Sequence, residues 1–144
     1  MLELINSNQI RVRYAETDKM GVVYNANYFI YFETGRNELM RKYKIPLVEF
    51  EKNENVFFPL IDAYAKYLIP AQYDDLLTIA TKFIYDGSLI YKFEAKIFRD
   101  EILLCEGYTR HCFISQKTMK PTKPPKDFIK VINSLSTKIE SVIK

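Results

Sequence analysis

The sequence predicts an α+β fold: a curved antiparallel sheet of about five strands wrapped around one long buried helix, with a further helix at the C-terminus. Three observations predict it. Asn27 to Tyr43 has helical spacing and is apolar almost all round in its first two turns, as suits a helix enclosed by other elements. The segments around it alternate apolar and polar residues between turn signals. A chain of 144 residues suits one core, so 1–144 is expected to be a single domain, with its core over about 5–116 and a linker and helix over 117–144.

Taken in order, Gln9-Ile10-Arg11-Val12-Arg13-Tyr14 alternates and predicts a strand near a sheet edge. Ala15 to Asn25 is a loop holding Thr17, Asp18 and Gly21. In the helix, Tyr28, Phe32, Gly35 and Leu39 form one stripe, and Glu33, Asn37, Arg41 and Lys44 another. Asn25 or Asn27 is the expected N-cap, since an Asn side chain accepts from first-turn amides. Gly35 costs roughly 1 kcal/mol against Ala inside a helix, which close approach to a sheet would explain. Ile45-Pro46 ends the helix. Leu47 to Asn55 reads as a short helix and loop, and Phe57 to Tyr67 as a strand made irregular at its start by Pro59. Leu68 to Asp75 reads as a turn and Leu76 to Tyr85 as a strand, after which Asp86-Gly87 signals a hairpin. Leu89 to Phe98 alternates, with Tyr91, Phe93, Ala95 and Ile97 on one face. Arg99-Asp100-Glu101 turns the chain into a long last strand, Ile102 to Ser115. Lys117 to Pro125 is a polar linker, and Lys126 to Lys144 an amphipathic helix with Phe128, Val131, Ile132, Leu135 and Ile139 as its stripe. The four later strands are expected in antiparallel succession. A single sheet leaves exposed edges, so an obligate dimer is expected.

Composition narrows the function classes. The net charge is +3, made of +5 in the segment from Lys117 onward and −2 in the body before it. A basic end without aromatic–basic interleaving or a nucleic-acid motif reads as a solvated helix, so no nucleic-acid partner is expected. There is no apolar run of signal-peptide type and none long enough to span a membrane, so a cytoplasmic protein is expected. Cys105 and Cys112 are seven apart on one strand and face opposite sides, which disfavours a disulfide. The four glycines are scattered, and no cluster of His, Cys and carboxylates has metal-ligand spacing. No metal or cofactor is expected. The single histidine, His111, shares strand parity with small and apolar residues and reads as structural.

Carboxylates remain. Asp18 precedes Gly21, which permits a sharp turn or close approach of a ligand, and the long helix begins soon after. Free amides at a helix N-terminus can donate to a carbonyl oxygen and to the oxyanion formed from it. A carboxylate beside them can attack the carbonyl carbon or deprotonate water. Taken alone, an acid in such a loop is more often a cap or a solvated turn.

Arg11-Val12, Thr17-Asp18, Gly21-Val22-Val23 and Asn27-Tyr28 resemble the signature of the 4-hydroxybenzoyl-CoA thioesterase family. The helix text Y-F-E-T-G-R-N-E is similar to its bacterial acyl-CoA thioesterase branch, the one associated with the Tol–Pal gene cluster. The resemblance implies a hot-dog fold, assembly into dimers and commonly tetramers with active sites at the dimer interface, and hydrolysis of acyl-CoA or acyl-carrier-protein thioesters without metal or bound cofactor. Asp18 matches the family's catalytic aspartate, and Asn25 the position whose backbone amide polarises the thioester carbonyl. Gly21, Tyr28, Glu33 and Ser88 are the expected substrate-binding residues. Position 25 usually holds His or Tyr in the family; Asn keeps the backbone donor but supplies no side-chain proton transfer. Tyr85-Asp86-Gly87-Ser88 stands where some members carry a basic CoA-phosphate cluster, so Arg99, Arg110 or Lys117 would have to meet the phosphates. Two alternatives share the fold. One is a module that binds acyl thioesters or a protein partner with little turnover. The other is a hydratase, which would need a histidine beside an acid near the helix.

Overall fold

The chain runs β1 (Leu2–Arg11), a 3-10 turn (Tyr14–Glu16), α1 (Asn27–Lys42), α2 (Leu47–Asn53), β2 (Val56–Phe57), β3 (Leu60–Tyr67), β4 (Leu76–Tyr85), β5 (Tyr91–Arg99), β6 (Ile102–His111), β7 (Ile114–Ser115) and α3 (Lys126–Ile143). This computed structural model describes residues 1–143, and their side chains through residue 136. The side chain of Ile139 and all of Lys144 therefore lie outside the described residues. Five strands form one antiparallel sheet in the order β1-β4-β5-β6-β3, while β2 and β7 pair separately.

Alternation decides the buried face of the sheet. Leu77, Ile79, Thr81 and Phe83 of β4, with Tyr91, Phe93, Ala95 and Ile97 of β5, point inward and are buried. α1 packs across this face and touches all five strands. It buries Tyr28, Tyr31, Phe32, Gly35 and Leu39. Gly35 is small for a packing reason: a Cβ there would overlap Thr81 Oγ1 and stand 2.8 Å from Ile79 Cγ2. At the far end, α3 lays Phe128 and Ile132 onto Phe50, Phe83, Tyr91 and Phe113, closing the core.

Several expectations change. The long strands break where the ladder fails. Phe58-Pro59 separates β2 from β3, because proline has no N–H to donate, and Cys112-Phe113 separates β6 from β7. The later strands are not in simple succession. Leu68 to Asp75 is a crossover rather than a turn, carrying the chain from β3 at one edge to β4 beside the other edge strand, β1. It is held at both ends: Leu68 N–H donates to Leu104 O (2.8 Å) and Val12 N–H to Asp75 O (2.9 Å). The helix cap also differs. The N-cap position is Ala26, with no side-chain cap bond, and the first turn closes on itself. Ile30 is 53% exposed, so α1 is not buried all round. Both cysteines are free and buried.

His111 is buried on the inner face at 5% exposure, stacked on Phe58 with its Nε2 3.0 Å from Thr109 Oγ1. Burial, helped by the nearby Arg36 charge, pushes its pKa down to about 4. An unfolded histidine binds its proton near pH 6.5. Between these values the unfolded chain holds a proton that the fold refuses, so stability falls as pH drops through this window, by about 3 kcal/mol at most. Urea unfolding of the wild type and His111→Gln from pH 7 to pH 4 should show the wild type losing that much relative to the variant. Parallel profiles would mean that the fold accepts a charged His111.

Candidate active site

The loop between β1 and α1 is organised by Glu16. Its Oε1 accepts from the Arg13 N–H at 2.8 Å and from the Tyr31 hydroxyl at 3.0 Å, and its Oε2 accepts from the Arg13 guanidinium at 3.2 and 3.3 Å. Its carbonyl accepts from the Tyr24 N–H (2.9 Å) and the Asn27 side chain (2.8 Å). One residue thus ties the strand exit, the loop's return and the helix together. Burial, then the Glu16 charge, pushes the Tyr31 phenol well above its ordinary pKa, so it remains a donor.

Within that frame the chain makes a tight turn. Asp18 N–H donates to Val22 O (2.8 Å), and Gly21 N–H donates to Asp18 O (3.0 Å). Gly21 has φ +81°, a left-handed conformation that glycine adopts without a Cβ penalty. The Met20 N–H donates to Asp18 Oδ1 at 2.8 Å. This leaves Oδ2 without a hydrogen-bond partner among the described residues.

The helix start supplies the opposite chemistry. The Asn27, Tyr28 and Phe29 amides donate back to Tyr24, Asn25 and Ala26. Among the described residues, the Asn25 N–H has no acceptor. The Asn25 carbonyl is held by the Tyr67 hydroxyl at 2.9 Å, which fixes the peptide's orientation. Tyr28 is buried and its hydroxyl accepts from the Ala71 N–H at 3.2 Å, while Val23 N–H donates to Ala71 O at 2.8 Å. The crossover therefore braces both the loop and the helix.

Asp18, Asn25, Tyr28 and Tyr67 line one cavity of about 240 Å³, with Met20 and Ile69 among its apolar walls. Asp18, Asn25 and Tyr28 are thus brought together, and Gly21 shapes the turn beneath them. Glu33 lies elsewhere, on a second groove farther along α1. Ser88 is in the β4–β5 turn, where its N–H donates to Asp86 Oδ1 and its hydroxyl to Ile90 O, both at 2.9 Å. Asn27 does not cap; its side chain is spent on the Glu16 carbonyl. Two of the three candidate phosphate cations are engaged, Arg99 with Asp75 at 2.8 Å and Arg110 with Asp62. Among the described residues, no group of His, Cys, Asp and Glu is arranged to hold a metal ion. Sequence reading missed Glu16 and Tyr67. The Arg13-x-x-Glu16 spacing was the one local signal for the first; Tyr67 stands 42 positions from Asn25 and gave none.

The Thioesterase-like superfamily matches residues 12–132. Among curated relatives, the acyl-CoA thioester hydrolase YbgC of Escherichia coli is 31% identical over 121 residues, covering 83% of this chain and 90% of that protein. The acyl-CoA thioesterase YbgC of Haemophilus influenzae is 28% identical over 127 residues, covering 88% and 93%. Among solved structures, the DHNA-CoA thioesterase of Staphylococcus aureus superposes with a TM-score of 0.83 at 26% identity, covering 95% of this chain and 94% of that one.

Glu16→Ala removes the acceptor for the Tyr31 hydroxyl and the Arg13 N–H together. Hydrogen bonds to charged groups are worth about 1.5–3 kcal/mol each, so a loss of about 2 kcal/mol or more is expected. Urea unfolding reads it; a change under 0.5 kcal/mol would remove Glu16 from its organising place.

Proposed function

Because the chain belongs to the Thioesterase-like superfamily, with its hot-dog fold, we propose that it hydrolyses acyl-CoA thioesters at the cavity shared by Asp18 and Asn25. One observation carries the reading: a carboxylate with an unengaged oxygen and a backbone N–H without an acceptor line the same cavity at a helix N-terminus. The thioester carbonyl oxygen takes the Asn25 N–H, so charge developing on it meets a fixed donor. Asp18 Oδ2 then acts in one of two ways. As a base it takes a proton from water, whose oxygen adds to the carbonyl carbon. As a nucleophile it adds to that carbon itself, forming a mixed anhydride that water opens. In both, the carbon–sulfur bond breaks, the thiolate leaves and is protonated, and the acyl group departs as a carboxylic acid.

Gly21 shapes the turn beneath the cavity, Tyr28 lines its wall, Glu33 is assigned to the acyl path on α1, and Ser88 to the CoA end. CoA or an acyl-carrier protein is the thiol donor. The proposed assembly is a homodimer closed through β3, or a homotetramer made of two such dimers. Among the described residues that edge strand has no partner on one side, and it exposes Leu60, Ile61, Tyr64 and Tyr67. No described helix is long and apolar enough to cross a membrane, and the proposed setting is the cytoplasm. Asn25 favours a second reading, a module that holds the ester with little turnover, because its side chain moves no proton.

Thiol release across short, long and aromatic acyl-CoAs separates these readings. Hydrolysis is expected, and Asp18→Asn should lower kcat by a factor of about 10² or more, as general acid–base groups contribute. Ester binding by calorimetry without thiol release would establish the binding module instead. Retention of most activity in Asp18→Asn would refute the role of Asp18.

A further inference from the structure

A second groove, of about 400 Å³, lies on α1 beyond the first cavity. Its apolar walls are Phe29 and Ile30 of α1 and Leu60 and Ala63 of β3. The same two elements flank both spaces. Asn25 and Tyr67 line the Asp18 cavity at the helix start and the end of β3, and the groove lies farther along the same two elements, between Phe29 and Arg36 on the helix and at Leu60 and Ala63 on β3. Arg36 is nine residues past Asn27, roughly 14 Å along the axis at about 1.5 Å per residue.

Arg36 is the unusual member. It is half-buried, and one guanidinium N–H reaches Thr109 Oγ1 at 3.3 Å. Thr109 Oγ1 in turn lies within hydrogen-bond distance of His111 Nε2, at 3.0 Å. Among the described residues, no carboxylate lies within ion-pair distance of Arg36. Burial pulls its pKa below the ordinary value, and Glu33 opposes that pull from the exposed rim without contacting it. A partly buried cation without a counter-ion is costly, and a ligand anion offsets that cost. A guanidinium is also shaped to take a carboxylate through two parallel N–H bonds.

We propose that this groove takes the far end of the acyl group and that Arg36 selects acyl chains ending in a carboxylate. The proposal rests on the thioesterase reading of the Asp18 cavity. At about 1.2 Å per bond an extended ten-carbon chain covers about 11 Å, and the Arg36 side chain, which leaves a helix tilted toward its N-terminus, reaches back over the rest. Glu33, being solvent-exposed, repels such an end only weakly through screening water.

The test compares sebacoyl-CoA with decanoyl-CoA, which share chain length and differ in the terminal carboxylate. In the wild type, kcat/KM should favour sebacoyl-CoA at least tenfold. Arg36→Met should bring the ratio close to one, and Arg36→Lys, which keeps the cation, should retain part of it. Calorimetry on Asp18→Asn protein should show the same preference in Kd without turnover. If no acyl-CoA of the short, long and aromatic series is hydrolysed, the thioesterase reading fails and the calorimetric ratio alone decides the groove; if others are hydrolysed but neither of these two, the groove proposal fails. Equal affinities or equal kcat/KM in the wild type would overturn the proposal. So would an Arg36→Met ratio that stays above tenfold; if the oligomeric state also changes in that variant, Arg36 belongs to the contact with a second copy.

Discussion

Glu16 holds the Asp18 loop to the helix whose amides that loop faces. Its side chain grips the strand exit through Arg13 and the helix through Tyr31; its carbonyl grips the returning loop and the first helical residue. Without that clamp, the distance between Asp18 and the helix start would depend on a free loop. With it, the carboxylate and the N–H are placed before any substrate arrives, which is the condition for electrostatic preorganisation. The crossover adds the second brace, through Ala71 to Tyr28 and Val23 and through Tyr67 to the Asn25 carbonyl.

The same helix separates two kinds of chemistry. Just before its N-terminus the Asn25 N–H, without an acceptor among the described residues, faces the cavity, beside the partial positive charge of the helix start. Farther along, its side chains and β3 form an apolar groove with one cation at its base. Gly35 makes this possible from the opposite face, because it lets α1 settle onto Ile79 and Thr81 of β4. The packing of the core therefore fixes where the reactive end and the groove lie.

Local patterns were legible in the sequence. The buried stripe of α1, the alternation of β4 and β5, the edge position of β1, the irregularity at Pro59 and the terminal helix all follow from spacing between near neighbours. The strand order was not, because alternation tells which face of a strand is buried but not which strand lies beside it. The Leu68–Asp75 crossover was read as a turn for that reason. At the site, Asp18, Gly21 and Asn25 fall in one short stretch and were readable together. Tyr67 and Ala71 reach the site only through the crossover. Arg36 has no distinguishing neighbour in sequence; its hydrogen-bond partner Thr109 comes from β6 and the groove wall Leu60 from β3.

The central claim is that the backbone N–H at position 25, rather than its side chain, polarises the thioester. Asn25 occupies the second position of the turn closed by the Asn27 N–H on Tyr24 O, where proline's fixed φ is accommodated. Asn25→Pro therefore removes the donor while sparing the turn, and Asn25→Ala removes only the side chain. The deciding measurement is kcat for thiol release in these two variants. The account predicts that Asn25→Ala stays within a few-fold of wild type and that Asn25→Pro falls by about 10²–10³, as loss of one oxyanion donor does. Wild-type turnover in Asn25→Pro, with loss in Asn25→Ala, would contradict it.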